Sequence, residues 1–195
     1  MDTIFIIISY LIGSIPFGLI GKFIFKIKDP RTFGSKNIGA TNILRSGNKG
    51  AALFTLTLDM SKGLIIILAN QSLQLDNLHL VIIAVVLGHM FPIYLFFKGG
   101  KGVATFFGVL IGLNLLCGVL TLFSWLIIFL CFKKSSLAAL LSIILSNCFL
   151  FFLYDDFESQ VAVLIVTIFI FYKHKSNIIR MLNKEEFSVE NPDKS

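Results

Sequence analysis

The feature that most restricts this chain is a succession of apolar runs of bilayer length, separated by stretches that hold nearly every Lys and Arg. A membrane-crossing helix needs about 20 mostly apolar residues, and the first run, Thr3 to Phe25, already has that length. Composition agrees: 56% of the 195 residues are hydrophobic and 21 are Phe, too little polar surface to cover a water-soluble globule. The expected fold is all-α: a polytopic integral membrane protein, one helical bundle over residues 1–186 and a disordered cytoplasmic tail over 187–195. Lys and Arg number 17 against 11 Asp and Glu, a net charge of +6. In a soluble protein that excess would favour nucleic acid. Here it sits between spans, where membrane orientation accounts for it, and no nucleic-acid partner is expected.

Charge order sets the topology. Asp2 precedes the first run and Lys22 follows it, the reverse of a secretory signal, so this is a retained span with the N-terminus outside and a kink at Pro16. A second span, Ala51 to Asn70, contains Asp59 and Lys62 at i, i+3, read as an intramembrane ion pair with a structural role in preference to a substrate contact. Gln71 to Asn77 is an outer loop, and His79 to Phe97 descends with His89 in its lower half as a brace for the following loop. Lys98 and Lys101 before the next apolar stretch, and Lys133 and Lys134 after it, should share one side, so the stretch crosses twice and turns near Asn114. Each crossing is then about 15 residues or ~22 Å, short of a ~30 Å hydrocarbon core, and local thinning is expected. Ser135 to Leu153 rises, Tyr154 to Glu158 is an acidic outer turn, and Ser159 to Tyr172 descends. Seven spans result, with the C-terminus cytoplasmic and every Lys and Arg except Lys62 on the inner side.

Three polar clusters fall on that inner side. Gly88 to Thr105 sets Lys98, Gly99, Gly100, Lys101 and Gly102 between apolar runs. Glycine lets backbone approach a ligand, free N–H groups at a helix start bind anions, and the lysines add full charge. This is phosphate-binding chemistry without the P-loop pattern; the competing reading is a turn anchored on lipid headgroups. Gly34 to Arg45 supplies Ser35, Asn37, Thr41, Asn42 and Arg45, suited to hydrogen-bonding an oxyanion, although such residues also serve as ordinary turn and cap residues. The third cluster carries His174, Asn177 and Arg180, which alone reads as a basic stop-transfer cap. Together the clusters describe a shared site for an anionic water-soluble substrate, opening toward an acyl-bearing one in the lipid. Cys117, Cys131 and Cys148 lie in apolar runs without metal-ligand spacing, so neither a metal nor a disulfide framework is expected.

These motifs resemble those of the bacterial acyl-phosphate-dependent glycerol-3-phosphate acyltransferase family: GS-x-N-x-GATN-x-x-R at Gly34–Arg45, GH-x-FP with KGGKG-x-AT at Gly88–Thr105, and H-x-x-NI-x-R at His174–Arg180 with a later Glu186. The family commonly has Gly where Lys184 stands, and often Gly and Pro at Lys36 and Ile38. The resemblance implies acyl transfer from a fatty acyl phosphate to the 1-hydroxyl of glycerol 3-phosphate, giving lysophosphatidic acid and phosphate, the first step of phospholipid synthesis. It implies no cofactor and no obligate protein partner, and an enzyme of the bacterial inner membrane. Arg45, Lys101 and the glycine N–H groups would offset repulsion between two phosphates, Ser35 would hydrogen-bond a phosphate, and His174 and Asn177 would position the hydroxyl or the developing oxyanion. No Ser-His-Asp arrangement is present in the pattern, which favours direct attack. The alternative is a transporter of a phosphorylated metabolite, but that would place polar residues at mid-membrane and often show an internal repeat. A scaffold binding anionic lipid would leave the Gly34–Arg45 loop without a role.

Overall fold

The computed structural model describes residues 2–187, and among these every regular element is helical. In chain order they are α1 (Asp2–Gly13), α2 (Phe17–Ile24), α3 (Ala40–Leu44), α4 (Lys49–Ser72), α5 (Leu78–Met90), a 3₁₀ turn (Ile93–Leu95), α6 (Val103–Leu113), α7 (Leu115–Phe132), α8 (Ser135–Leu153), α9 (Phe157–Lys173) and α10 (Lys175–Leu182). Four segments are long and apolar enough to cross a bilayer: 49–72, 78–95, 115–132 and 135–153. Two bent pairs pass that test as single spans, α1 with α2 at 42° and α9 with α10 at 58°. Of the expected tail, Phe187 is described; 188–195 lies outside the described residues.

The breaks have local causes. Pro16 cannot donate an N–H, so α1 stops at Gly13 and the chain resumes as α2 after the bend. α5 ends at Met90, seven residues before the expected end of its span at Phe97, because a proline at 92 biases Phe91 away from helical angles; Phe91 adopts φ −131°. The turn near Asn114 falls where expected, but the two crossings are unequal. α6 has 11 residues and α7 has 18, about 16 Å and 27 Å of helix. Asn114 works in two directions: its side-chain oxygen accepts from Cys117 N at 3.0 Å, capping α7, and its amide donates to Leu153 O at 3.0 Å, closing α8.

With no water to drive helices together inside lipid, close packing carries the association. α4 and α6 run in the same direction through small residues: a Cβ added to Gly63 would lie 2.2 Å from Thr105 O, and one added to Gly108 1.9 Å from Met60 O. α1 meets α5 in the same way at Gly13 and Gly88. The core fills with Ile66, Ile67, Val81, Val85, Phe106, Leu110, Ile143 and Val166. At one end of the bundle Asn77 Nδ2 donates to Asp2 O at 2.8 Å, and His79 Nδ1 lies 2.9 Å from Glu158 Oε2. The opposite end gathers the 26–49 loop, the 91–102 loop, the 133–134 junction and α10.

Candidate active site

At that second end a cavity of about 660 Å³ opens between the first loop, α3, α4, the start of α6, α7, α8 and α10. The first loop is held by Asn42, whose amide donates to Pro30 O at 2.7 Å, Asn37 O at 2.8 Å and Phe33 O at 3.3 Å, while its Oδ1 accepts from Ser35 N at 2.9 Å. Asn42 is thus a strut with its hydrogen-bonding capacity spent inside the loop. Gly34 makes room for it, with φ +53° and a hypothetical Cβ only 2.4 Å from Asn42 Oδ1. The strut turns Ser35, Asn37 and Thr41 toward the cavity, and Thr41 Oγ1 lies 3.1 Å from Ser135 Oγ. Arg45, at the C-terminus of α3, also lines the cavity; its Nε is buried and has no hydrogen-bond partner among the described residues.

The second loop folds back on the residues before it. Gly99 N donates to Met90 O at 3.2 Å and Gly100 N to His89 O at 3.1 Å, while Lys173 Nζ also donates to Met90 O at 3.0 Å. Gly102, with φ +86°, starts α6 and lets Lys101 turn inward. Lys101 and Gly102 line the cavity; Lys98, Gly99 and Gly100 do not, and the Lys98 side chain is exposed. The third cluster arrives on the 58° bend at His174.

These pieces meet in one hydrogen-bonded chain. Lys101 Nζ donates to Asn177 Oδ1 at 2.5 Å, Asn177 Nδ2 to Glu186 Oε1 at 2.6 Å, Ser136 Oγ to the same oxygen at 2.8 Å, and Arg180 Nε to Glu186 Oε2 at 2.9 Å. Phe187 lies over both Arg45 and Arg180, its ring centroid 5.2 Å and 5.0 Å from the two guanidinium carbons. Burial pushes the Lys101 ammonium down to about 8; Glu186 opposes that, and Arg180 and Arg45 add to it. Burial also lowers Arg45 from its ordinary value. His174 Nδ1 is 2.8 Å from Ile170 O. A carbonyl only accepts, so Nδ1 carries the proton and Nε2 keeps a lone pair for the site.

The other half of the cavity is apolar, lined by Leu53, Leu56 and Met60 of α4, Phe107 of α6, and Leu122 and Trp125 of α7. The sequence reading missed this wall because helices that face lipid and helices that face an acyl chain carry the same side chains. It also missed Ser135 and Ser136, which read as the start of a span, and left Glu186 and Phe187 out of the site. Glu186 had one signal, its place at the end of the third motif. Among the described residues there is no cluster of His, Cys, Asp and Glu able to hold a metal.

Among the described residues the fold is thus a helical bundle whose cavity joins half-buried cations to an apolar wall, the class of an integral membrane protein with an amphipathic site. The Glycerol-3-phosphate acyltransferase family model matches residues 3–184. A glycerol-3-phosphate acyltransferase of Nitrosomonas eutropha is 43% identical over 97% of this chain and 98% of its own length. One of Pelagibacter ubique is 43% identical over 91% and 92%. The fold is similar to the crystal structure of PlsY (YgiH), an integral membrane glycerol 3-phosphate acyltransferase. Its glycerol 3-phosphate form gives a TM-score of 0.90 at 37% identity, covering 96% of this chain and 94% of that one. Its lysophosphatidic acid form gives 0.89 at 35%, with the same coverage. The chain belongs to the glycerol-3-phosphate acyltransferase family and is an integral membrane protein. Lys36 and Lys184, the positions at which the sequence resemblance leads one to expect Gly, adopt φ +55° and +63°, left-handed geometry that glycine takes without strain.

Proposed function

We propose that this protein transfers a fatty acyl group from an acyl phosphate to the 1-hydroxyl of glycerol 3-phosphate, releasing lysophosphatidic acid and phosphate. The observation that carries this reading is the single cavity in which Arg45 and Lys101 stand at one end and Met60, Phe107, Leu122 and Trp125 at the other. Acyl phosphate is an activated mixed anhydride, so the enzyme's task is to hold two anions against their repulsion and aim the hydroxyl at the carbonyl. Arg45, whose buried Nε is unpaired among the described residues, and Lys101 supply charge for the phosphates, and Ser35, Asn37 and Thr41 line the wall beside them.

In the step itself the 1-hydroxyl oxygen bonds to the acyl carbonyl carbon, the carbon–oxygen bond to phosphate breaks, and phosphate leaves with that bonding pair. The hydroxyl proton passes to a phosphate oxygen of a substrate, or to the His174 lone pair on Nε2. Asn177, fixed between Lys101 and Glu186, holds the lysine in register with the histidine. Attack is direct, with no acyl-enzyme; a trapped acyl-Ser35 in a single-turnover labelling experiment would overturn that part.

The topology that fits this chemistry has seven crossings, the short α6 counting as one, with the N-terminus outside and the cavity on the cytoplasmic face of the bacterial inner membrane. The positive-inside distribution supports it, as does the meeting of Asp2 with Asn77 at the end away from the cavity. The deciding experiment is reconstitution in lipid with palmitoyl phosphate or palmitoyl-CoA as donor and labelled glycerol 3-phosphate. Lysophosphatidic acid formed from the phosphate alone is the expected result. No product from a folded sample would favour transport instead, and uptake into sealed vesicles would follow.

A further inference from the structure

A buried ionic cluster beneath the second loop takes no part in the chemistry above. Asp59 and Lys62 of α4 and His89 of α5 are all buried, and Asp59 and His89 also form part of the cavity lining below Lys101. The Lys62 ammonium lies 2.8 Å from Asp59 Oδ1, 2.9 Å from His89 Nδ1 and 3.2 Å from Ile15 O, a carbonyl in the break between α1 and α2. The Asp59 contact is an ion pair off the hydrogen-bonding direction. Charges within a span are expensive and tend to mark function. Replacing a buried ion pair by apolar residues of similar volume is often neutral or stabilising, so stability alone gives this cluster no reason to exist.

Its contacts run upward to the site. His89 Nδ1 faces two groups, the Lys62 ammonium at 2.9 Å and Asp59 Oδ1 at 3.4 Å. An ammonium only donates, so toward the nearer, charged Lys62 the ring accepts at Nδ1 and carries its proton on Nε2. That Nε2 edge abuts the second loop: a Cβ added to Gly100 would lie 2.1 Å from it. The His89 carbonyl accepts from Gly100 N at 3.1 Å, and the next residue along is Lys101, whose ammonium reaches Asn177. Gly63 packs on Thr105, so Lys62 lies level with the first turn of α6, immediately below this loop.

We propose that Asp59, Lys62 and His89 form a positioning triad. The ion pair fixes the His89 ring as its Nε2–H form, and ring and carbonyl together hold Gly99 and Gly100 in the shape that carries Lys101 into the anion end of the cavity. The proposal rests on the acyltransferase reading and adds the residues that set its main lysine in place. They act through Lys101, so their loss reads mainly on the glycerol 3-phosphate side.

The test uses the full chain in lipid. Nitrogen-15 spectra of histidine-labelled wild type should show His89 protonated at Nε2 and His174 at Nδ1, opposite forms of the same side chain. The double variant Asp59→Leu/Lys62→Met removes both charges without orphaning either. It should raise the KM for glycerol 3-phosphate about tenfold or more, change the KM for palmitoyl phosphate less than about twofold, and lose the single His89 form. An unchanged glycerol 3-phosphate KM in the folded double variant overturns the proposal, and so does His89 protonated at Nδ1 in wild type. If the double variant does not fold, the wild-type spectrum decides. Wild type that makes no lysophosphatidic acid strikes the acyltransferase reading instead, while the two histidine forms still report on the triad.

Discussion

The first and second loops each deliver a cation to the same cavity, and they differ in how far away their side-chain supports come from. The Gly34–Arg45 loop is held from within: Asn42 bonds to Pro30, Phe33, Ser35 and Asn37, all within 12 residues of it. The 91–102 loop has local turns of its own, such as Phe97 N to Pro92 O and Lys98 N to Leu95 O, but it and the end of α5 it folds back on are also tied down from outside. Tyr10 Oη donates to Phe91 O at 2.7 Å from 81 positions away, Lys173 reaches Met90 O from 83 positions away, and the ring of His89 is fixed by Lys62. Local bonding makes a loop that a short sequence can specify. Remote bonding makes one whose shape depends on the whole bundle having assembled.

The sharpest way to break this comparison is at its shared endpoint. Lys101→Ala removes the second loop's cation and the partner of Asn177, and kcat/KM should fall on the order of 10³-fold in the reconstituted assay. A loss below tenfold would mean Arg45 alone manages the anions. Next comes the local strut. Asn42→Ala should lower activity about 100-fold by misplacing Ser35 and Arg45. It should also destabilise the fold by about 2–3 kcal/mol, read by thermal unfolding in detergent.

A smaller effect separates charge from shape. Lys101, lowered to about 8, is protonated below that pH and neutral above it, while the substrate phosphate is already largely a dianion there. The KM for glycerol 3-phosphate should therefore rise as pH climbs through about 8, approaching tenfold per unit. In Lys101→Arg that rise should be absent, whatever the variant's absolute activity. The smallest effect is expected at Lys98, three residues from Lys101 but exposed. Lys98→Ala should change kcat/KM less than about threefold, as for most exposed charges. A large loss there would put Lys98 among the substrate cations and undo the distinction between the two lysines.

The sequence by itself determined the helical class, the break at Pro16, the turn at Asn114 and the three clusters. Each rests on a signal read within a few residues: a missing N–H, a polar residue between apolar runs, glycine beside lysine. The Asp59–Lys62 pair was legible too, since i, i+3 places two side chains on one helix face regardless of context. Only the tertiary structure decided that Asn42 is a strut, that Lys101 and not Lys98 enters the cavity, and that Glu186 ties α10 to the start of α8. It alone distinguished the apolar wall of the cavity from lipid-facing surface. The physical reason is that hydropathy reports how much a side chain avoids water. It says nothing about whether the apolar partner is a lipid, another helix or a substrate, and that is fixed only when the helices pack.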